Sequence, residues 1–288
     1  MNRSNRLTLL LTLALIAVGA ANPAVPSQVT PASPAYFGFD RNEYPGDAAL
    51  HRLRKTFAFS GYWLNPPPGA SRNTWLGKRP ALLAQNFGFA VLFNGRLARG
   101  LRSVKAAAAL GRADARLATR AASTEGFPPR TIIFLDQEQG GRMLPEQKAY
   151  IYAWVDTVSA ANFRAGVYCS GIAAQEAPGV EIVTADDIRT NAGRRDITYW
   201  VTNDACPPSP GCAVSASPLS PAQSGTLFAE VWQYAQSPRR PDVARACPAN
   251  YAADGSCYVP GSGAAQLPFL DLDIATTADP SHGRTGSH

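Results

Sequence analysis

Eight apolar runs of strand length recur along this chain, most of them preceded by a stretch of helical pattern. The runs occupy residues 36–40, 57–64, 88–94, 131–138, 164–171, 197–204, 229–236 and 269–275. The clearest helical patterns fall at 101–123, 145–162 and 185–192, the second opening on Pro145, where a first turn tolerates proline. Strands that alternate with helices imply parallel pairing through crossover helices. Eight such units in roughly 240 residues match a (β/α)8 TIM barrel, whose usual length is ~250 residues. A doubly wound open sheet would use fewer strands, and no Gly-x-Gly-x-x-Gly follows the first run. The expectation is therefore a single-domain α/β protein, a TIM barrel over 36–275. The alternation breaks once, at a Pro/Gly-rich stretch without helical pattern between the last two runs.

The ends of the chain read differently. Arg3 and Arg6 precede an apolar run over 7–18 and then small residues, the pattern of a secretory signal peptide over 1–21. The apolar run falls short of the ~20 residues that span a bilayer. Residues 22–35 form a Pro/Ser-rich linker and 276–288 a polar tail, expected to be disordered. The mature protein is expected to be secreted, extracellular or periplasmic, monomeric and without a membrane anchor.

A composition of 45% hydrophobic and 17% charged residues can furnish a core. The net charge of +6 carries no dense Lys/Arg stripe with interleaved aromatics, which argues against a nucleic-acid partner. Five cysteines suit an oxidising compartment. Cys206 and Cys212 bracket one loop, and Cys247 and Cys257 another, so two local disulfides are the economical pairing. Cys169 stands in an apolar run and reads as a small buried hydrophobe. No Cys-x-x-Cys or His-x-x-x-His occurs, and His51, His282 and His288 are scattered. Neither a metal nor another cofactor is expected.

Acids gather at the ends of the runs. Asp40 closes the first, Asp136 and Glu138 the fourth and Asp204 the sixth, while Asp271 and Asp273 sit in the eighth. In a TIM barrel the C-terminal strand ends carry the catalytic groups. Side chains alternate along a strand, so Asp136 and Glu138 point the same way. Two close carboxylates cannot both ionise freely, so one pKa should rise. A raised acid beside an ionised one is what glycosidic cleavage requires. The plainer alternative is a solvated rim neutralised by Arg142 or Lys148. Tyr62, Trp63, Trp200, Trp232 and Tyr234 lie in the upper halves of their runs. Such rings could stack on the C–H faces of sugars, although each alone could equally fill the core.

The motifs GFD, IIFLDQE, AGVYCSG, YWVTNDA, VWQYAQ and LDLDIA follow one another in this order. Together they resemble the lysozyme-type glycoside hydrolases of family 25. The segment GRADARLATRAASTEGFPPRTIIFLDQE also resembles the related domain of unknown function 1906, a group of glycoside hydrolase-like barrels in secreted bacterial proteins. The resemblance implies Glu138 as general acid, with Asp136 stabilising positive charge or positioning an N-acetyl group. It implies that Asp40 and Asp271 line the same pocket, with Tyr168, Trp232, Gln233 and Tyr234 near the sugar; Trp63 and Trp200 join them as candidate stacking residues. The implied partner is cell-wall polysaccharide, cut at the β-1,4 bond of peptidoglycan without a cofactor. Two rival expectations stay open: a barrel that binds wall glycan without cutting it, and a hydrolase of another polysaccharide.

Overall fold

The alternating runs close on themselves. The computed structural model describes residues 35–203, 220–235 and 270–284. Seven strands run in parallel: β1 (Tyr36–Asp40), β2 (Phe59–Trp63), β3 (Gly88–Asn94), β4 (Ile132–Gln137), β5 (Arg164–Ser170), β8 (Ile197–Thr202) and β9 (Ala229–Ala235). The eighth barrel strand, β10 (Asp271–Ala275), completes the ring in the order β1-β10-β9-β8-β5-β4-β3-β2. Helices α1 (Asp47–Leu53), α2 (Arg79–Ala84), α3 (Val104–Thr124), α4 (Pro145–Ala160) and α5 (Thr184–Asn191) lie between strands. The chain is thus mixed α/β with a closed eight-stranded, TIM-like barrel.

The all-parallel expectation needs correction, because β10 runs antiparallel to both β1 and β9. A parallel return requires a crossover from one end of the barrel to the other, usually by a helix. The stretch before β10 has no helical pattern, and the chain re-enters at the rim where β9 ends. A second difference is a small hairpin, β6 (Ala173–Ala177) with β7 (Val180–Val183), placed between β5 and α5. It turns at Pro178-Gly179, where Gly179 takes a positive φ of 75°. Arg142, in the β4–α4 loop, holds it through a two-pronged bond to Glu176 at 2.8–3.1 Å.

The polar stretch after β10 is no frayed tail through residue 284. Ser281 is buried at the lower end of the barrel, where its N–H donates to Phe89 O (2.7 Å) and its carbonyl accepts from Ile132 N (2.8 Å). Its hydroxyl accepts from Val91 N, and Asp279 accepts from Phe89 N, both at 2.8 Å. These residues bridge the starts of β3 and β4, satisfying backbone groups that would otherwise be orphaned. The tail passes so close that a Cβ at Gly88 would lie 2.0 Å from Ala278 O, which explains glycine there.

The outer layer is knit by aromatic and polar contacts. Phe39 packs edge-on against Phe57 and Phe87, and Tyr62 against Trp75, Phe89 and Phe127. Asp114, buried on α3, accepts from Tyr150 on α4 (2.9 Å) and from Arg96 Nε and Nη2 (2.6 and 2.9 Å). Cys169 is buried and free, and burial raises its thiol pKa, in keeping with an inert core residue. Residues 1–34, Asp204, and the candidate disulfide cysteines Cys206, Cys212, Cys247 and Cys257 lie outside the described residues.

Candidate active site

Parallel strands deliver their last side chains to one rim, and the acids meet there. Asp40 ends β1 and Asp136 stands one residue before the end of β4. Because β10 is reversed, its first residue, Asp271, faces Asp40 across the strand pair, with Asp273 one layer deeper. A Cβ at Gly61 would lie 2.5 Å from Asp40 Cβ, so glycine on β2 leaves Asp40 its room. Asp40, Asp136 and Asp273 are all buried, whereas Glu138, just past β4, is exposed. Asp40, Asp136, Glu138, Tyr168, Trp200 and Gln233 line a cavity of about 40 Å³, with Trp63 on one side. That is room for a few waters rather than a sugar ring.

A hydrogen-bond chain orders the acids. Tyr168 Oη donates to Gln233 Oε1, and Gln233 Nε2 donates to Asp40 Oδ2, each at 2.7 Å. Trp200 Nε1 donates to Asp273 Oδ1 at 3.1 Å. The Asp40 and Asp273 carboxyls are neighbours, and Asp273 Oδ2 is buried with no hydrogen-bond partner among the described residues. Burial pushes Asp40 up to about 6, against the lowering effect of its bond from Gln233. Asp273 is raised well above the usual carboxylate range, by burial first and then by the charges of Asp40 and Asp271.

Asp136 is likewise raised well above the carboxylate range, by burial first, then by the charges of Glu138 and Asp40. Its Oδ1 is buried with no hydrogen-bond partner among the described residues. Such an atom costs free energy unless something binds it. The rim-neutralising alternative finds little support: Arg142 bonds Glu176 and Asp187, and Lys148 bonds Asp187 at 3.0 Å.

The candidate aromatic residues separate by face. Trp200 is fully buried, edge-on to Phe134 and Tyr168 at 5.5 and 5.3 Å, and forms the cavity floor. Trp63 reaches the cavity wall while its Nε1 donates to Arg41 O at 3.1 Å. Gln233 faces inward, so its neighbours Trp232 and Tyr234 fall on the opposite face of β9. Their rings pack against each other at 5.9 Å, and Trp232 Nε1 donates to Asn203 O. Neither lines the cavity, and neither does Asp271, which is half-buried. Tyr62 likewise sits in the outer layer, its hydroxyl donating to Glu125. Asp273 belongs to the acid network although the motif resemblance does not single it out; its signal was the shared parity with Asp271. Asn42 and Pro68, also at the cavity, carry no local signal of a role.

A model of the Rv2525c-like, glycoside hydrolase-like domain matches residues 79–236. Among solved structures, an uncharacterized B. stearothermophilus protein is similar at 18% identity and a TM-score of 0.52, over 83% of this chain and 95% of that one. The Tat-secreted protein Rv2525c of Mycobacterium tuberculosis is similar at 11% identity and a TM-score of 0.49, over 86% and 98% of the two chains. A family GH25 lysozyme from Aspergillus fumigatus is similar at 12% identity and a TM-score of 0.42, over 70% and 88%. No curated protein matches. At these identities the structural likeness is one of fold. The family model, in contrast, spans more than half of the 288 residues, and the chain belongs to the Rv2525c-like glycoside hydrolase-like domain family.

Proposed function

We propose that this chain is a secreted glycoside hydrolase that cuts the β-1,4 glycan bond of peptidoglycan by carboxylate chemistry. One observation carries the reading: a buried Asp136, its pKa raised and one oxygen unpartnered among the described residues, lines the same cavity as the exposed Glu138 at the barrel mouth. Glu138 is placed to meet the glycosidic oxygen of a chain lying across the mouth. A bound glycan would displace water from Glu138 and raise its pKa, readying it to donate. Protonation lets the C1–O bond break with its electron pair on the leaving oxygen. Asp136 offers its proton to the carbonyl of the substrate's N-acetyl group, which positions that group beside C1. Asp40, ionised at neutral pH above its pKa of about 6, supplies the negative charge that favours the oxocarbenium centre. Water then adds at C1 and returns a proton to Glu138. No metal enters these steps.

The small cavity favours a second reading, in which the acids hydrogen-bond a wall glycan without cutting it. Incubating purified peptidoglycan with the protein between pH 4 and 8 separates the two. Soluble fragments ending in reducing muramic acid are the expected product. Fragments ending in reducing glucosamine would move the cut to the other bond. Release of nothing, from protein that still pellets with the wall, would overturn the hydrolase reading in favour of the binder.

A further inference from the structure

A groove of about 490 Å³ lies beside the acid mouth but outside the barrel, between the ends of β2 and β3 and the flank of α3. Its walls are Leu64, Leu76, Phe93, Leu117 and Ala121, with Arg96 at one end. Leu76 and Leu117 are each 49% exposed, an unusual cost for two leucines bordering one groove. The volume falls in the range of small-ligand sites, which pair apolar walls with a few polar groups. One rim is built in advance: Asn65 Nδ2 donates to Asn94 O, Asn94 N donates to Asn65 Oδ1, and Asn94 Nδ2 donates to Pro66 O. Arg96 gives Nε and Nη2 to Asp114 and leaves Nη1 without a bond among the described residues, its side chain 44% exposed. A guanidinium anchored this way presents its remaining N–H groups to a carboxylate at little entropic cost.

The groove also adjoins the site. Asn94 pairs with Asp136 in the barrel register, and Gly95 N donates to Asp136 O at 3.1 Å. The wall of the groove thus begins where β3 leaves the barrel beside Asp136. We infer that this groove binds the peptide that hangs from a wall glycan, a short chain of alanine-sized side chains and free carboxylates. The inference rests on the proposed function for the identity of the glycan. Methyl groups would cover Leu76, Leu117 and Phe93, and a carboxylate would bond Arg96 Nη1. The glycan itself would remain over Glu138.

The test is calorimetric titration of the full chain with a free alanine–isoglutamate–diamino acid–alanine tetrapeptide. Binding is expected, and Leu76→Asp and Leu117→Asp, both at exposed positions, should each weaken it at least about fivefold. Arg96→Lys keeps a cation beside Asp114 and should weaken binding roughly tenfold through loss of the forked donor. Peptide-stripped glycan should bind all three variants as it binds the wild type. No binding of the tetrapeptide, or equal binding by all variants, would overturn the inference. Glu138→Gln should bind the tetrapeptide like the wild type, so failure of turnover with intact peptide binding would sink only the hydrolase reading. Turnover without peptide binding would sink only the groove.

Discussion

Replacing Asp273 by asparagine is expected to raise the melting temperature at neutral pH and to flatten its dependence on pH. Asp273 and Asp40 are buried carboxyls whose folded pKa values lie above the unfolded value of 3.8, Asp40 at about 6 and Asp273 well above the carboxylate range. For such a group the unfolded chain releases its proton first, so the folded state loses stability as pH rises from about 3.8 toward the folded pKa. Above about pH 6 the penalty from Asp40 alone is on the order of 3 kcal/mol. An asparagine at 273 mimics the protonated acid. Its Oδ1 accepts from Trp200 Nε1, with nothing left to titrate at that position. The stability difference between variant and wild type should be near zero below pH 4 and grow as pH rises toward the raised pKa of Asp273, and a gain of about 2 kcal/mol would raise the melting temperature by roughly 4–8 °C. Thermal unfolding followed across that range checks this. A variant less stable than wild type at pH 7 would show that the buried Asp273 carboxyl does not cost the fold stability.

Glu138→Gln should lower glycan cleavage by about 10²–10⁴-fold, the usual worth of a positioned general acid. Glu138 is exposed, so the exchange removes a proton donor without opening a cavity. Pelleting with the wall should be retained, because the amide still accepts and donates hydrogen bonds. Parallel loss of binding and turnover would recast Glu138 as a binding residue. Cleavage that persists in the variant would transfer the acid role to Asp136, whose pKa burial raises.

Much of the barrel was legible because the strand signal is local. β1 and β3 occupy the expected residues, and α3 starts three residues later than its pattern begins. Parity along β4 placed Asp136 and Glu138 on one cavity, since alternation survives any tertiary context. The same rule separates Gln233 from Trp232 and Tyr234, three consecutive residues that cannot share a face. What escaped was non-local. The direction of β10 depends on where a long connection re-enters the barrel, and no residue of the strand records it. Residues 276–284 look like solvent-facing tail until Ser281 and Asp279 bond strands about 190 positions away. The β6–β7 hairpin did have a local mark, the Pro178-Gly179 turn, but its strands are largely exposed and lack an apolar face. The rise in the Asp136 pKa is a product of burial, which only the closed barrel supplies.

That burial lifts the Asp136 pKa well above the carboxylate range is tested most directly by ¹³C NMR titration of the aspartate carboxyl carbons, with Asp136→Asn supplying the assignment. The expected result is an Asp136 resonance that titrates well above the usual carboxylate range, beside an Asp40 resonance that titrates near 6. An Asp136 carbon that titrates near 4, like a carboxyl in water, would contradict it, and would leave the barrel mouth without the proton store on which the proposed chemistry depends.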